Sequence, residues 1–402
     1  MRTGVAGFQG ERLAQLRQAR GIKLAALAAV VDRSTGTLSK WEKGTQLPEP
    51  TALKKLSEAL NVQQKWFLAP VAAYGHAPYF FRSTAAATNE ARLIAKVKLD
   101  WLQELSGILQ QWLDWPTIRL PYFTEGDFKR ITDREIEAMA MECRTLWGLG
   151  LAPIPDVVLA LENAGVICAR GELGYSRMDG VSHWSSLDQR PYVFLVADKA
   201  NGIRNRFDAA HELAHLVLHR GLEEVEFHQR HSEIERQASL FAGAFLLPAE
   251  TFATEIGGWP TLDTFFRLKE RWKVSIAAMI MRCKQLDLMT EDHALRLWKN
   301  YSARGWRRGE PGDDQIPFEP MRLMPRGVNM VVDQHLYSKE ALLHEFGLGR
   351  IDCEELCGLS LGYFATEEQS AQVIATITMK AGTGPSFSQP ATVLSLVGRT
   401  KR

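Results

Sequence analysis

The sequence predicts a mainly α fold with a small β-sheet (α+β), on three observations. Most of the 402 residues fall into apolar-periodic runs of helical length, punctuated by Gly and Pro. Only three short runs, 166–169, 180–184 and 192–196, have strand character. The run 206–219 reads as a helix that is apolar on most faces yet carries three histidines and a glutamate. Unpaired buried polar groups are costly, so that helix needs a reason for its imidazoles.

Residues 8–68 read as a series of short helices. The first, 10–20, turns Leu13 and Leu16 inward and stops at Gly21; the second covers 23–31 with Leu24, Leu27 and Ala28 inward. Asp32 and Arg33 make a tight turn, Ser34 is an N-cap, and a third helix over 35–43 buries Leu38 and Trp41 before Gly44. Pro48 and Pro50 precede a fourth helix over 51–60, and Trp66, Phe67 and Leu68 close this core. A connector, 71–121, holds a long amphipathic helix near 86–113 with an apolar stripe of Leu93, Val97, Trp101, Leu105 and Leu109. That stripe either packs on the rest of the chain or pairs with a second copy; a palindromic DNA site favours a homodimer. Helices over 133–147 and 155–163, the three strands, the histidine helix, a polar loop over 222–232 with solvated His228 and His231, and helices over 261–270 and 274–288 make a body, 122–290. Residues 291–402 are helical near 338–346 and 352–360, then Gly/Ser/Pro-rich over 381–390, with no role assigned.

Composition sets the class. Apolar content of 46% and charged content of 24% describe an ordinary globular protein. No apolar run reaches the roughly 18 residues of a membrane span, and the N-terminus lacks the apolar stretch of a signal peptide. Five cysteines at irregular spacing fit core thiols; with the preceding points they predict a reducing, cytoplasmic location and no membrane partner. Net charge is +1, but residues 1–70 carry 11 Lys/Arg against 5 Asp/Glu, so the remainder is acidic. A basic module on an acidic body points to a polyanion met by the first segment alone.

The chemistry lies in His211-Glu212-Leu213-Ala214-His215. On a helix, residues four apart lie one above the other, so both imidazoles can reach one Zn²⁺. Glu212 is turned about 100° from His211, where it can take a proton from the attacking water without being a ligand. The five-residue run also arises by chance and in metal-free helices, so a third ligand decides. Downstream, Ala238, Phe241, Ala242 and Phe245 keep helical spacing with Glu235 on or near their inward face. A His₂Glu set with one open position is a catalytic zinc arrangement. His219 continues the 211/215 face, either beside the metal or as a cap on the helix end. Asp208 either orients His211 or caps the helix. His183, on a strand expected to border the cleft as an edge that pairs with peptide, is a candidate to steady the oxyanion; a structural role is the alternative.

The run R-F-D-A-A-H-E-L-A-H-L-V-L-H, followed by I-E-R-Q-A-S-L-F-A-G-A-F-L-L-P, resembles the ImmA/IrrE family of metallopeptidases. The resemblance implies a zincin-like domain with His211, His215 and Glu235 on one zinc per chain and Glu212 as base. Ala214 and Ser239 stand where the family often has Gly and Asn; neither position is a ligand. The run L-S-K-W-E-K-G followed by L-P-E-P-T-A-L-K-K-L-S-E-A-L resembles the five-helix Cro/C1-type (XRE) helix-turn-helix over 8–70. This implies binding to a double-stranded DNA operator. Ser34, Thr35, Thr37, Ser39 and Lys40 would face base edges, and Arg17, Arg20, Lys23, Arg33 and Lys43 phosphates. Leu24 stands where that family often has Gln, and Gly36 adds no side chain to the reading helix.

Together these readings predict a DNA-binding regulator fused to a zinc endopeptidase. Its protein substrate would be a helix-turn-helix repressor, a toxin or antitoxin partner, or the chain itself. The alternatives are a regulator whose peptidase fold only senses a ligand, and an antitoxin-like component that binds DNA and a protein partner.

Overall fold

The computed structural model describes residues 4–75, 77–83, 88–123, 131–175 and 178–365. The Gly/Ser/Pro-rich stretch 381–390 and the expected start of the long helix at 86 lie outside these residues. The first segment forms α1 (Gly10–Ala19), α2 (Leu24–Val30), α3 (Thr35–Glu42), α4 (Pro50–Leu60) and a 3-10 turn over Gln64–Leu68. Ser34 caps α3 as expected, its hydroxyl accepting from Thr37 N at 3.1 Å. Then come β1 (Phe80–Ser83), α5 (Asn89–Leu109), α6 (Asp133–Leu146), α7 (Val157–Asn163), β2 (Ile167–Gly171), β3 (Met178–Ser185), β4 (Arg190–Val196) and α8 (Gly202–Leu218). They are followed by α9 (Glu224–Gln229), α10 (His231–Leu246), α11 (Ala249–Ile256), α12 (Leu262–Trp272), α13 (Ile276–Gln285) and α14 (Glu291–Ala303). Last are α15 (Leu323–Asp333), α16 (Lys339–Phe346) and α17 (Arg350–Leu356). The stretch 222–232 is therefore not a plain loop: it holds α9, whose Phe227 is buried, while His231 is half-buried against that ring. Among the described residues no helix is long and apolar enough to cross a membrane, and all five cysteines are buried free thiols.

The four strands run in the order β1-β3-β4-β2, with β2 parallel to β4 and the other pairs antiparallel. Strand alternation gives the sheet two faces. Phe80, Cys168, Trp184, Val193 and Leu195 join a core with α8, α10 and α6. Ile167, Ala169, Val181, Tyr192 and Phe194 join the other core, with α5, the first segment and α15–α17.

Three expectations change here. The interval 71–121 is not a connector: it supplies β1 to the sheet, and α5 lies across the sheet's second face. Its stripe residues Val97, Trp101, Leu105 and Leu109 are buried inside one chain. Dimerisation through that stripe therefore has no surface left to use. Second, β3 lies between β1 and β4, so it is not an edge strand. Third, residues 323–356 have a packing role. α15 and α17 rest on β2 and α5, and α16 on α5.

The first segment is joined to this layer. Gln63 N donates to Gly347 O at 2.9 Å, Arg12 pairs with Glu104, and the Trp66 and Trp101 rings meet edge to face at 6.0 Å. Arg20, expected at a phosphate, donates from Nη1 to Asp352 Oδ1 at 2.6 Å.

Candidate metal centre and DNA-reading helix

Asn201 starts α8, its side chain accepting from Arg204 N at 2.9 Å, and the helix runs without Pro or internal Gly through His211, Glu212 and His215. α10 packs against it, with Ala238 and Ala242 buried on the face that carries Glu235. Such small residues let two helix axes approach closely. The four-residue repeat on each helix then brings matching rows together: 211, 215 and 219 on α8, 235 and 239 on α10.

The ligand atoms converge. His211 Nε2 and His215 Nε2 lie 3.2 Å apart, and Glu235 places one oxygen 3.3 Å from the first and the other 3.4 Å from the second. A tetrahedral ion with bonds of roughly 2.0–2.1 Å spaces its ligand atoms about 3.3 Å apart, so these three side chains fit a zinc. Burial, with the Arg82 charge adding to it, pulls the His211 pKa down to about 3, so the imidazole is in its ligating, neutral form. Burial would raise the Glu235 carboxyl, but the two histidines beside it hold it well below the ordinary range.

Glu212 is fully buried next to this triangle. Its Oε2 accepts from Ser182 Oγ at 2.6 Å, while Oε1 has no hydrogen-bond partner and faces the position of Gly180. Burial pushes this carboxyl well above the ordinary range; the Ser182 bond opposes the shift and the Glu235 charge adds to it. An orphaned oxygen on a buried carboxylate, next to converging ligands, is an arrangement for handling a proton.

Protein-family comparison agrees with this geometry. The model for peptidase family M78, described as an IrrE N-terminal-like domain, matches residues 172–284, and a helix-turn-helix domain model matches residues 10–65. The chain carries an IrrE-like peptidase domain behind a helix-turn-helix domain. No curated protein matches it.

Within the IrrE-like domain the neighbours of the triad differ from expectation. His219 closes α8 at its C-cap and also touches the site: its Nδ1 lies 3.0 Å from His215 Nδ1 and its Nε2 2.9 Å from Gln237 Oε1. With His215 Nε2 used as a ligand, its Nδ1 carries the proton and donates to His219, which then donates to Gln237. Asp208 neither caps α8 nor meets His211; it forms an ion pair with Arg82 Nε at 2.6 Å. Burial lifts its pKa to about 6 against the pull of Arg82. His211 Nδ1 lies 3.4 Å from Ser239 Oγ, at hydrogen-bond distance.

His183 does not reach the site. Ser182 points to Glu212, so alternation turns His183 to the α5 face. There it stacks on Tyr79 at 4.1 Å, with Nδ1 3.2 Å from Gln103 Oε1. An oxyanion role for it is therefore withdrawn. Three groups at the site escaped the sequence reading: Ser182, Arg82 and Phe80, the last lying parallel to the His215 ring at 4.7 Å. The only hint was alternation: Gly180, Ser182 and Trp184 share a face.

In the helix-turn-helix domain, Ser34, Thr35, Lys40 and Lys43 are exposed, and Thr37 and Ser39 are half-buried, on the outward side of α3. The Ser34 and Thr37 hydroxyls lie 2.9 Å apart. Arg33 is paired with Glu49 and Arg17 with Glu42, while Lys23 is exposed just before α2.

Proposed function

We propose that the chain is a DNA-binding regulator whose IrrE-like domain is a zinc-dependent endopeptidase acting on a protein: a repressor-like partner, a toxin or antitoxin, or the chain itself. The observation that supports this most is the convergence of His211, His215 and Glu235 at tetrahedral spacing beside the orphaned Oε1 of Glu212. His211, His215 and Glu235 would hold a zinc ion, which would supply Lewis-acid polarisation and a lowered water pKa. Glu212 takes the proton from the attacking water and delivers it to the leaving amine as the C–N bond breaks. Ser182 holds Oε2, which leaves Oε1 for that proton. His219 and Gln237 fix the tautomer of His215. Outward-facing Ser34, Thr35, Thr37, Ser39 and Lys40 read the operator, with Lys43 and Arg33 on its phosphates.

One observation favours a rival. Glu212 and His215 have no solvent exposure, and Phe80 covers the His215 ring. A domain closed in this way suits a ligand sensor that does not hydrolyse.

Zinc analysis, with wild type and Glu212→Gln incubated against the products of neighbouring genes, separates the two. The endopeptidase reading expects about one zinc in each protein and cleavage by wild type alone, with the variant at least about 100-fold slower. Equal cleavage by Glu212→Gln removes that residue as the base. Full zinc with no cleavage of any partner leaves the sensor. In parallel, Lys40→Ala lowers operator affinity by about 5- to 10-fold in a binding titration, flattens its salt dependence by about one phosphate contact, and leaves zinc unchanged.

A further inference from the structure

An open sheet edge is a template for another extended chain. One edge of β3 is covered by β4; the other is covered, among the described residues, by β1 alone, a four-residue strand whose register shifts between Arg82 and Ser83. β1 comes from the segment between the helix-turn-helix domain and α5, and the family match begins only at residue 172. The matched region supplies β3 and β4; β1, like β2, lies before it, and reaches β3 from about a hundred residues upstream.

The edge that β1 covers is the one beside the triad. Its residues pair with the two β3 positions that touch the base: Phe80 with Ser182 and Arg82 with Gly180. Their side chains share the α8 face. Phe80 lies against His215, with Phe227 edge-on at 5.3 Å, and Arg82 reaches Asp208 on the turn of α8 before His211. The direction is antiparallel, the pairing a two-stranded peptide addition readily adopts.

We propose that β1 sits in the place of substrate: the β3 edge over Met178–Ser185 docks an extended segment of the protein to be cut, and Phe80–Arg82 is the chain's own occupant of it. The inference deepens the peptidase reading, though docking itself needs no cleavage. It commits to a substrate chemistry. Main-chain pairing is indifferent to sequence, so preference comes from the two sockets. One takes a large apolar or aromatic side chain against His215 and Phe227. The other, two residues later, takes a basic side chain against Asp208. Tyr79 tethers the occupant from the opposite face, its hydroxyl donating to Asp100 Oδ1 at 2.5 Å. An incoming segment therefore competes with a strand held at high effective concentration.

The test uses the full chain, zinc-loaded and carrying Glu212→Gln so that nothing is cut. The probe is a labelled synthetic peptide copying residues 77–83; a control peptide has the Phe80 and Arg82 positions changed to Ala and Glu. Binding is read by fluorescence anisotropy, and exchange over 79–83 and 178–185 by hydrogen–deuterium mass spectrometry. Adding Phe80→Ala to the chain should tighten binding of the copy peptide at least ten-fold. Bound peptide should speed exchange in 79–83 while 178–185 stays protected, and the control peptide should do neither. If Phe80→Ala loosens the whole chain, Arg82→Gln takes its place with the same expectation. The proposal is overturned if the copy peptide binds none of these chains, or if 79–83 stays as protected as 178–185 when it is bound. A failure of the peptidase reading looks different: the peptide docks and displaces β1, yet wild type cuts nothing.

Discussion

On one face of the sheet, His183 lies under Tyr79 with its Nδ1 3.2 Å from Gln103, and Tyr79 in turn is bonded to Asp100. On the other face, His211 and His215 direct Nε2 atoms to within 3.2 Å of each other and toward both oxygens of Glu235. The histidines of both sets are buried, both sets are assembled from separate elements, and burial lowers the pKa of His183, to about 4, as it lowers that of His211. Burial and perturbed titration therefore do not separate a structural histidine from a functional one. What separates them is where the lone pairs point. On the α5 face His183 pairs with Gln103 and stacks on Tyr79, and its own unpartnered Nε2 meets no converging group; on the α8 face the polar atoms converge on a common point.

The largest effect should come from deleting a convergent ligand. His211→Ala or His215→Ala should drop zinc from about one ion per chain to below about 0.1, as measured by mass spectrometry, whereas His183→Gln should keep it. Loss of zinc from His183→Gln would erase the contrast between the faces. A smaller effect belongs to Ser182. Ser182→Ala should keep zinc and lower kcat/KM for the true substrate roughly ten-fold, the value of one charge-assisted hydrogen bond to the base. The smallest effect concerns His183, stacked on Tyr79, paired with Gln103 and under the charges of Lys96 and Asp188. Its folded pKa of about 4 lies below the ordinary histidine value of 6.5. Between these two values the unfolded chain holds the proton and the folded chain does not. Stability from this group is therefore present above 6.5 and falls as pH drops toward 4. Wild type should lose up to about 1.4 kcal/mol per pH unit from it. His183→Gln should flatten the slope of denaturation midpoint against pH by that amount, and an unchanged slope would mean that His183 is already hydrated.

What the sequence disclosed was local. The spacing of His211, Glu212 and His215, the inward face that carries Glu235, the Ser34 cap and the edges of α1–α4 all depend on contacts within a few turns, and they are readable from periodicity. What it concealed was pairing across distance. β1 meets β3 about a hundred residues downstream, Arg20 meets Asp352 near the far end, and nothing local in Tyr79-Phe80-Phe81-Arg82 announces a strand over the triad. His183 failed for a sharper reason. Strand alternation reverses the face with each residue, so an error of one position exchanges a site residue, Ser182, for its structural neighbour.

The bond from Gln63 to Gly347 and the Arg20–Asp352 pair hold the helix-turn-helix domain on the scaffold that carries the His211, His215 and Glu235 cluster, while α3 looks outward. On the function proposed above, an operator-bound chain would bring this site to the promoter, within molecular reach of whatever else is bound there. A neighbouring repressor would meet that centre at a local abundance set by chromosomal spacing, not by how many copies the cell contains.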